Sequence, residues 1–411
     1  MFDLINKLSI KAYSGCNLNC VYCHQLFDDK NDTRRFIDCH NLEQFLLSIP
    51  LDTHVDVTIT GGEITLAPDC FMNVVDVLKK VERKRDVRFD ICVVTNGTNM
   101  SVVYEWCHKG IVRPDKVAIS WDGLYSASKS RLTKGRYNDE FFQDVIKELG
   151  KSRYNEDIAV TIAITPQTLP DLYESFKFCF DNNAFNVGYY FIHEADYDNE
   201  EFRKEFKIQI EKIAQLVVEK LNQGDEISYY NWQLINTKRL NPKRFFMCGK
   251  LGKNYHIDTN GDIYPCIYFG DHKVYKLGSL EDGLDNFLLK AFTREYLVYP
   301  KCKFKTCNCV QCSECPASNL VHNHSLGKRF CNLCQLLPIE NEIYDKYAPM
   351  IDEKFRHNLY VPNDMEKYGA SINENIFYNG SYQEVQYRGE SCSGIKSPHY
   401  EGVRKWSNYH Q

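Results

Sequence analysis

Along the first 220 residues the apolar positions follow two alternating rhythms. Short runs with a period near two, read as strands, fall at 8–13, 55–60, 89–95, 116–121, 159–164 and 187–192. Between them lie longer stretches with helical spacing, at 41–49, 69–85, 101–109, 140–149, 172–180 and 200–221. The 69–85 stretch has Pro68 near its start and apolar residues at 71, 74, 75 and 78, one face of a 3.6-residue period. The 140–149 stretch is apolar at 141, 142, 145, 146 and 149 and is stopped by Gly150. Six strand–helix units in succession mean a parallel sheet with helices outside it, an α/β fold. Periodicity leaves two architectures open, a barrel short of the usual eight units or a doubly wound sheet.

Composition narrows the class. With 43% hydrophobic and 26% charged residues in 411, the chain reads as an ordinary globular protein with at least one sizeable core. A net charge of −5 gives no electrostatic reason to expect nucleic acid or an anionic membrane as partner. No apolar run is long enough to span a bilayer, and residues 1–7 lack the basic and apolar regions of a signal peptide. A cytoplasmic protein is expected. In that compartment the 18 cysteines call for an explanation other than disulfides. Three stand at 16–23 and nine between Cys248 and Cys334, while Cys70, Cys92 and Cys179 read as small buried apolar residues. A last helix is expected over 340–347. From 360 onward the chain is rich in Asn, Tyr, Ser and Gly without periodicity, so little packed core is expected there.

Candidate chemistry gathers where the strands end. The first leads into Cys16-Asn-Leu-Asn-Cys20-Val-Tyr22-Cys23, a C-x3-C-x2-C spacing whose soft thiolates suit an iron–sulfur cluster or zinc. No fourth cysteine or histidine follows at ligand spacing, and His24 abuts Cys23 too closely, so three ligands would leave one metal position open. The second strand ends in Thr60-Gly61-Gly62-Glu63, where glycines permit close backbone approach and a carboxylate can receive an ammonium group. The third ends in Thr95-Asn96-Gly97 and the fourth in Ser120-Trp121-Asp122-Gly123, with Arg131 eight residues beyond.

Taken in this order the motifs resemble those of radical S-adenosylmethionine (SAM) enzymes. The resemblance implies an open six-unit (β/α)6 partial barrel over residues 1–235. It implies that Cys16, Cys20 and Cys23 hold a 4Fe–4S cluster and that Gly61, Gly62 and Glu63 hold the amino group of SAM. Tyr22, Asn96, Ser120 and Asp122 would lie about the cofactor, with Arg131 pairing its carboxylate. The implied chemistry is one-electron reductive cleavage of SAM, giving a 5′-deoxyadenosyl radical that takes hydrogen from a substrate. A flavodoxin- or ferredoxin-type reductant would supply the electron. Ile64 stands where the family often has proline.

The second cysteine group resembles a SPASM domain, the auxiliary-cluster module of peptide-modifying radical enzymes, expected over 240–340 and followed by a tail over 341–411. Cys248-x12-Gly261-x4-Cys266 matches its opening, with a hairpin turn expected at 259–262. Cys312-x2-Cys315-Pro316 matches its continuation, but Val321 and Ser325 occupy the later cysteine positions, and His322 and His324 lie beside that gap. Cys302, Cys307, Cys309, Cys331 and Cys334 are further candidate ligands. Nine thiols suffice for one or two auxiliary 4Fe–4S clusters, or for one cluster and a zinc site. The family's extended substrates imply a peptide or protein substrate, modified by a cross-link or epimerisation. Two alternatives stand beside this reading: a sulfatase maturase forming formylglycine, and a zinc-rich interaction protein without catalysis.

Overall fold

The computed structural model describes residues 4–23, 35–133, 135–192, 195, 197–240, 254–270, 273–297, 315–324 and 335–359. The chain begins with β1 (Ile5–Tyr13), a two-residue β2 (Asn19–Cys20) and α1 (Cys39–Ser48). Then come β3 (Leu51–Gly61), α2 (Pro68–Lys84), β4 (Arg88–Thr95), α3 (Met100–His108) and β5 (Val117–Ser120). A short α4 (Ser126–Lys129) and β6 (Arg131–Leu132) precede α5 (Asp139–Lys151), β7 (Ala159–Ile164), α6 (Leu172–Asp181), β8 (Asn186–Phe191) and α7 (Glu200–Gln223). Each of the six expected strand–helix units is present. Beyond them lie β9 (Ser228–Tyr229), α8 (Tyr230–Leu240), β10 (Asn254–Ile257), β11 (Asp262–Tyr264), β12 (Gly278–Ser279) and β13 (Gly283–Leu284). Helices α9 (Asn286–Leu297), α10 (Pro316–Asn323) and α11 (Leu337–Tyr347) complete the described strands and α-helices.

Among the described residues eleven strands form one sheet, in the order β13-β12-β11-β10-β1-β3-β4-β5-β7-β8-β9. Pairing is parallel from β10 through β1 to β9 and antiparallel from β10 to β13. The order is linear, so the barrel stays open, as expected. The turn at 259–262 is the expected hairpin, with Ile257 opposite Ile263. The expectation did not foresee that β10 runs parallel beside β1, so that the hairpin extends the same sheet.

The two faces of the sheet differ sharply. Leu8, Ile10, Val57, Ile59, Val93, Ile119, Val160 and Ile162 are buried in the core. Alternate residues in matching register (Ser9 with Thr58, Lys11 with Thr60, Ser120 with Thr161) give a polar concave face. Cys92, paired with Thr58, belongs to that polar face and is half-buried, unlike the fully buried Cys179. It is therefore only partly buried, where the sequence reading expected a small buried apolar residue. Local signals fix the helices. Asp38 caps α1 by accepting from the N–H of His40 and Asn41 at 2.8 and 3.0 Å. Gly224, at φ 96°, ends α7 in the left-handed conformation.

Candidate functional site

The site stands at the carboxyl ends of β1, β3, β4 and β5. The loop after β1 carries Cys16, Cys20 and Cys23, all half-buried. It is held by a two-residue ladder in which Asn19 faces Leu132 and Cys20 faces Arg131, extended by Val21 N–H donating to Ser130 O at 2.9 Å. On its other side Gly62 N–H donates to Tyr13 O at 3.0 Å and Glu63 N–H to Gly15 O at 2.9 Å. A Cβ on Gly62 would meet Gly15 O at 2.4 Å and Cys16 Cβ at 2.7 Å, and one on Gly61 would meet Tyr13 O at 2.5 Å. The two glycines thus admit the cysteine loop itself, which the sequence reading had put down to a ligand.

Glu63 is only 2% exposed, and its carboxylate is firmly oriented. Oε1 accepts from Thr65 N–H, Thr65 Oγ1 and Thr95 Oγ1 at 3.1, 2.7 and 2.8 Å, and Oε2 accepts from Asn96 N–H at 2.6 Å. A carboxylate oxygen accepts two bonds comfortably, so Oε2 keeps room for an ammonium donor. Asn96 Nδ2 donates to Asn17 Oδ1 at 2.8 Å, and Asn17 Nδ2 donates to Thr98 Oγ1 at 2.8 Å and Tyr137 Oη at 3.1 Å. Sequence reasoning missed Asn17, Thr98 and Tyr137. Only Asn17 left a signal, as a polar residue between two candidate ligands. Ser120 faces the concave side half-buried at the end of β5, and its hydroxyl forms no hydrogen bond with the described residues.

Tyr22, Asp122 and Arg131 come together in one buried network. Tyr22 Oη donates to Asp122 Oδ2, Ser130 Oγ donates to the same oxygen at 2.9 Å, and Ala163 N–H donates to Oδ1 at 3.2 Å. Arg131 Nη1 donates to Tyr22 Oη at 3.1 Å and to Asp122 Oδ1 at 3.4 Å. Burial pushes the Tyr22 phenol well above its ordinary pKa, so it stays a neutral donor.

Burial likewise pushes the Cys16 thiol to about 11, and the Glu63 and Cys23 charges add to the rise. Cys20 rises to about 12, also chiefly by burial. Thiols raised in this way are protonated at neutral pH, so Cys16 and Cys20 would give up their protons to bind a metal. Among the described residues no three cysteine, histidine or acidic side chains form a ready-made metal site. The donor set still suits an iron–sulfur cluster, since it offers three soft ligands on one short loop beside an oriented carboxylate.

Of the second cysteine group, Cys248, Cys302, Cys307, Cys309, Cys312, Cys331 and Cys334 lie outside the described residues. Cys266 and Cys315 are described. Burial pushes Cys266 up to about 12, and the nearby Cys315 thiol adds to it. The backbone N–H groups of Tyr268 and Phe269 lie close enough to the Cys266 sulfur to offset part of that rise.

Residues 10–179 match the profile of the Radical SAM superfamily. A "Probable GTP 3',8-cyclase" of Pyrococcus horikoshii is 28% identical over 143 residues, 35% of this chain and 43% of that protein. A protein of the same name from Methanocaldococcus jannaschii is 24% identical over 71% of this chain and 95% of its own length. The chain thus spans less than half of the first relative and nearly all of the second. Among solved structures, anSMEcpe with bound AdoMet superposes with a TM-score of 0.65 at 18% identity, over 86% of this chain and 98% of its own. Streptococcus suis SuiB bound to S-adenosylmethionine gives 0.52 at 17% identity, over 79% and 76%. No helix among the described residues is long and apolar enough to cross a membrane. Residues 10–179 thus match the Radical SAM superfamily, and the chain shares its fold with anSMEcpe.

Proposed function

We propose that this protein cleaves SAM reductively and modifies a peptide or protein substrate. The observation that carries the first part is the cysteine loop, clamped between Gly62–Glu63 and the Ser130–Leu132 segment, with Glu63 and Arg131 on either side. In this reading Cys16, Cys20 and Cys23 hold a 4Fe–4S cluster, which when bound supplies the electron that splits SAM. Glu63 receives the amino group on Oε2, Arg131 the carboxylate, and Ser120 and Asn96 the polar remainder, while Gly61 and Gly62 let the loop close over β3. The polar concave face orients the substrate, and the surrounding core keeps bulk water out.

The second part is supported by a solved relative in fold, anSMEcpe, whose structure with AdoMet and the Cp18Cys peptide superposes with a TM-score of 0.62. Cys266 and Cys315, brought within electrostatic reach of each other, would serve an auxiliary cluster together with other cysteines of the 248–334 stretch. A second reading has its own observation: the M. jannaschii protein named for GTP cyclisation matches over 95% of its length. The test is anaerobic reconstitution followed by dithionite and SAM, with and without candidate peptides or GTP. Formation of 5′-deoxyadenosine that disappears in the Cys16→Ala/Cys20→Ala/Cys23→Ala variant supports the first part. A mass change confined to peptide supports the second, and consumption of GTP would replace it.

A further inference from the structure

Arg131 is 5% exposed, yet its Nε–H has no hydrogen-bond partner among the described residues. A buried donor left unpaired is costly, so an arginine serving only as a staple would be expected to satisfy it. The opposite corner of the same guanidinium is fully engaged, Nη1 donating to Tyr22 Oη at 3.1 Å and to Asp122 Oδ1 at 3.4 Å. Because the guanidinium is a planar fork, fixing one corner fixes the direction of the other edge. The fixing groups are themselves held. Asp122 is a non-glycine residue at φ 64°, followed by Gly123 at φ 98°, and this left-handed turn carries its carboxylate back to the cysteine loop. Ser130 Oγ at 2.9 Å and Ala163 N–H at 3.2 Å pin the two carboxylate oxygens. The backbone of Arg131 pairs with that of Cys20, so arginine and cysteine loop are in fixed register.

We propose that Tyr22 and Asp122 are positioning residues that aim the free Nε edge of Arg131 at the carboxylate of SAM, and that neither touches the cofactor. The inference rests on the SAM-cleaving reading above. It assigns to Tyr22 and Asp122 a role different from the direct contacts that the resemblance implies for them.

The experiment is equilibrium binding to the anaerobically reconstituted full chain, normalised to iron content. The two probes are SAM and its decarboxylated analogue, which lacks only the group Arg131 would receive. Tyr22→Phe removes one hydroxyl and should weaken SAM about tenfold, the equivalent of one charge-assisted hydrogen bond, while changing the analogue by less than about twofold. Asp122→Asn keeps a side chain that tolerates the left-handed backbone and should follow the same pattern. Arg131→Lys keeps the charge but loses the fork, and adding Tyr22→Phe to it should cost nothing more. Equal weakening of both probes by Tyr22→Phe, or an unchanged SAM affinity, would overturn the proposal. Additive losses in the double variant would do the same. Should Arg131→Lys fail to fold, the two-probe comparison in Tyr22→Phe decides by itself. A wild-type chain that carries iron yet binds neither probe would instead sink the SAM-cleaving reading, a different result from selective failure of the variants.

Discussion

Single residues set the shape of the cysteine loop. Gly62 leaves no room for a side chain, because a Cβ would stand 2.4 Å from a backbone oxygen that cannot turn aside. Gly62→Ala should therefore displace the loop carrying Cys16, at a cost of about 1–3 kcal/mol in stability. Iron bound per chain after reconstitution should drop while far-ultraviolet circular dichroism stays native, and full iron loading would refute this account. The Gly-Gly pair was legible in the sequence as a close approach, but its partner was not, since that partner is another loop 47 residues earlier. Asp258 was not legible at all. Its burial would raise the carboxyl, but Lys11 at 3.3 Å and His256 outweigh that and hold it below the ordinary carboxylate range. A folded-state pKa depressed in this way contributes stability above the unfolded value near about 4, lost as pH falls through the folded value. In urea titrations between neutral pH and pH 3, wild type and Asp258→Asn should differ most at neutral pH and converge in acid. Parallel curves would show that the carboxylate charge does not matter.

Helices and strands were legible to the extent that their own periodicity specified them. In α2, Phe71, Val74, Val75, Leu78 and Val81 are buried on one face, as the 3.6-residue spacing predicts. Phe71 then stacks on Trp106 of α3 with ring centroids 3.8 Å apart, a pairing of two helices that no local pattern announces. Phe71→Ala should cost about 3–5 kcal/mol, read from the urea midpoint, and Phe71→Leu distinctly less because the cavity left is smaller. If the two variants cost the same, loss of ring stacking rather than cavity volume sets the penalty. The elements that escaped the sequence are the short ones. Strands β2 and β6, of two residues each, exist only because Cys20 and Arg131 pair across 111 positions, and two residues carry no rhythm. They are nonetheless what holds the cysteine loop. The fold was therefore readable from local spacing, and the fine geometry of the site was not, because long-range pairing and side-chain hydrogen bonds determine it.

At the scale of the molecule, one sheet joins the parallel strands that carry the candidate site to the hairpin strands β10 and β11. Strand β10 lies parallel to β1, with Ser9 beside His256 at 3.1 Å between Oγ and Nδ1. One step further along, the ammonium of Lys11 meets Asp258 at 3.3 Å, with side chains 9% and 11% exposed. The pair lies between two chemical segments, since β1 runs on to Cys16 and the β10–β11 hairpin to Cys266. A buried ion pair is poor evidence of net stabilisation, because desolvating both charges offsets much of their attraction. Breaking it is another matter. Lys11→Met leaves Asp258 as an uncompensated buried charge and should cost about 3–5 kcal/mol, whereas Lys11→Met/Asp258→Leu removes both charges and should recover most of that loss. If the pair's only role is to join β1 to β10, the double variant should regain both stability and the ability to cleave SAM. If it regains stability but not cleavage, the charges act on the concave face as well. Urea midpoints and 5′-deoxyadenosine formation on the same three proteins separate these outcomes. A double variant no more stable than Lys11→Met would show that the loss comes from packing around the lysine stem and not from the stranded carboxylate.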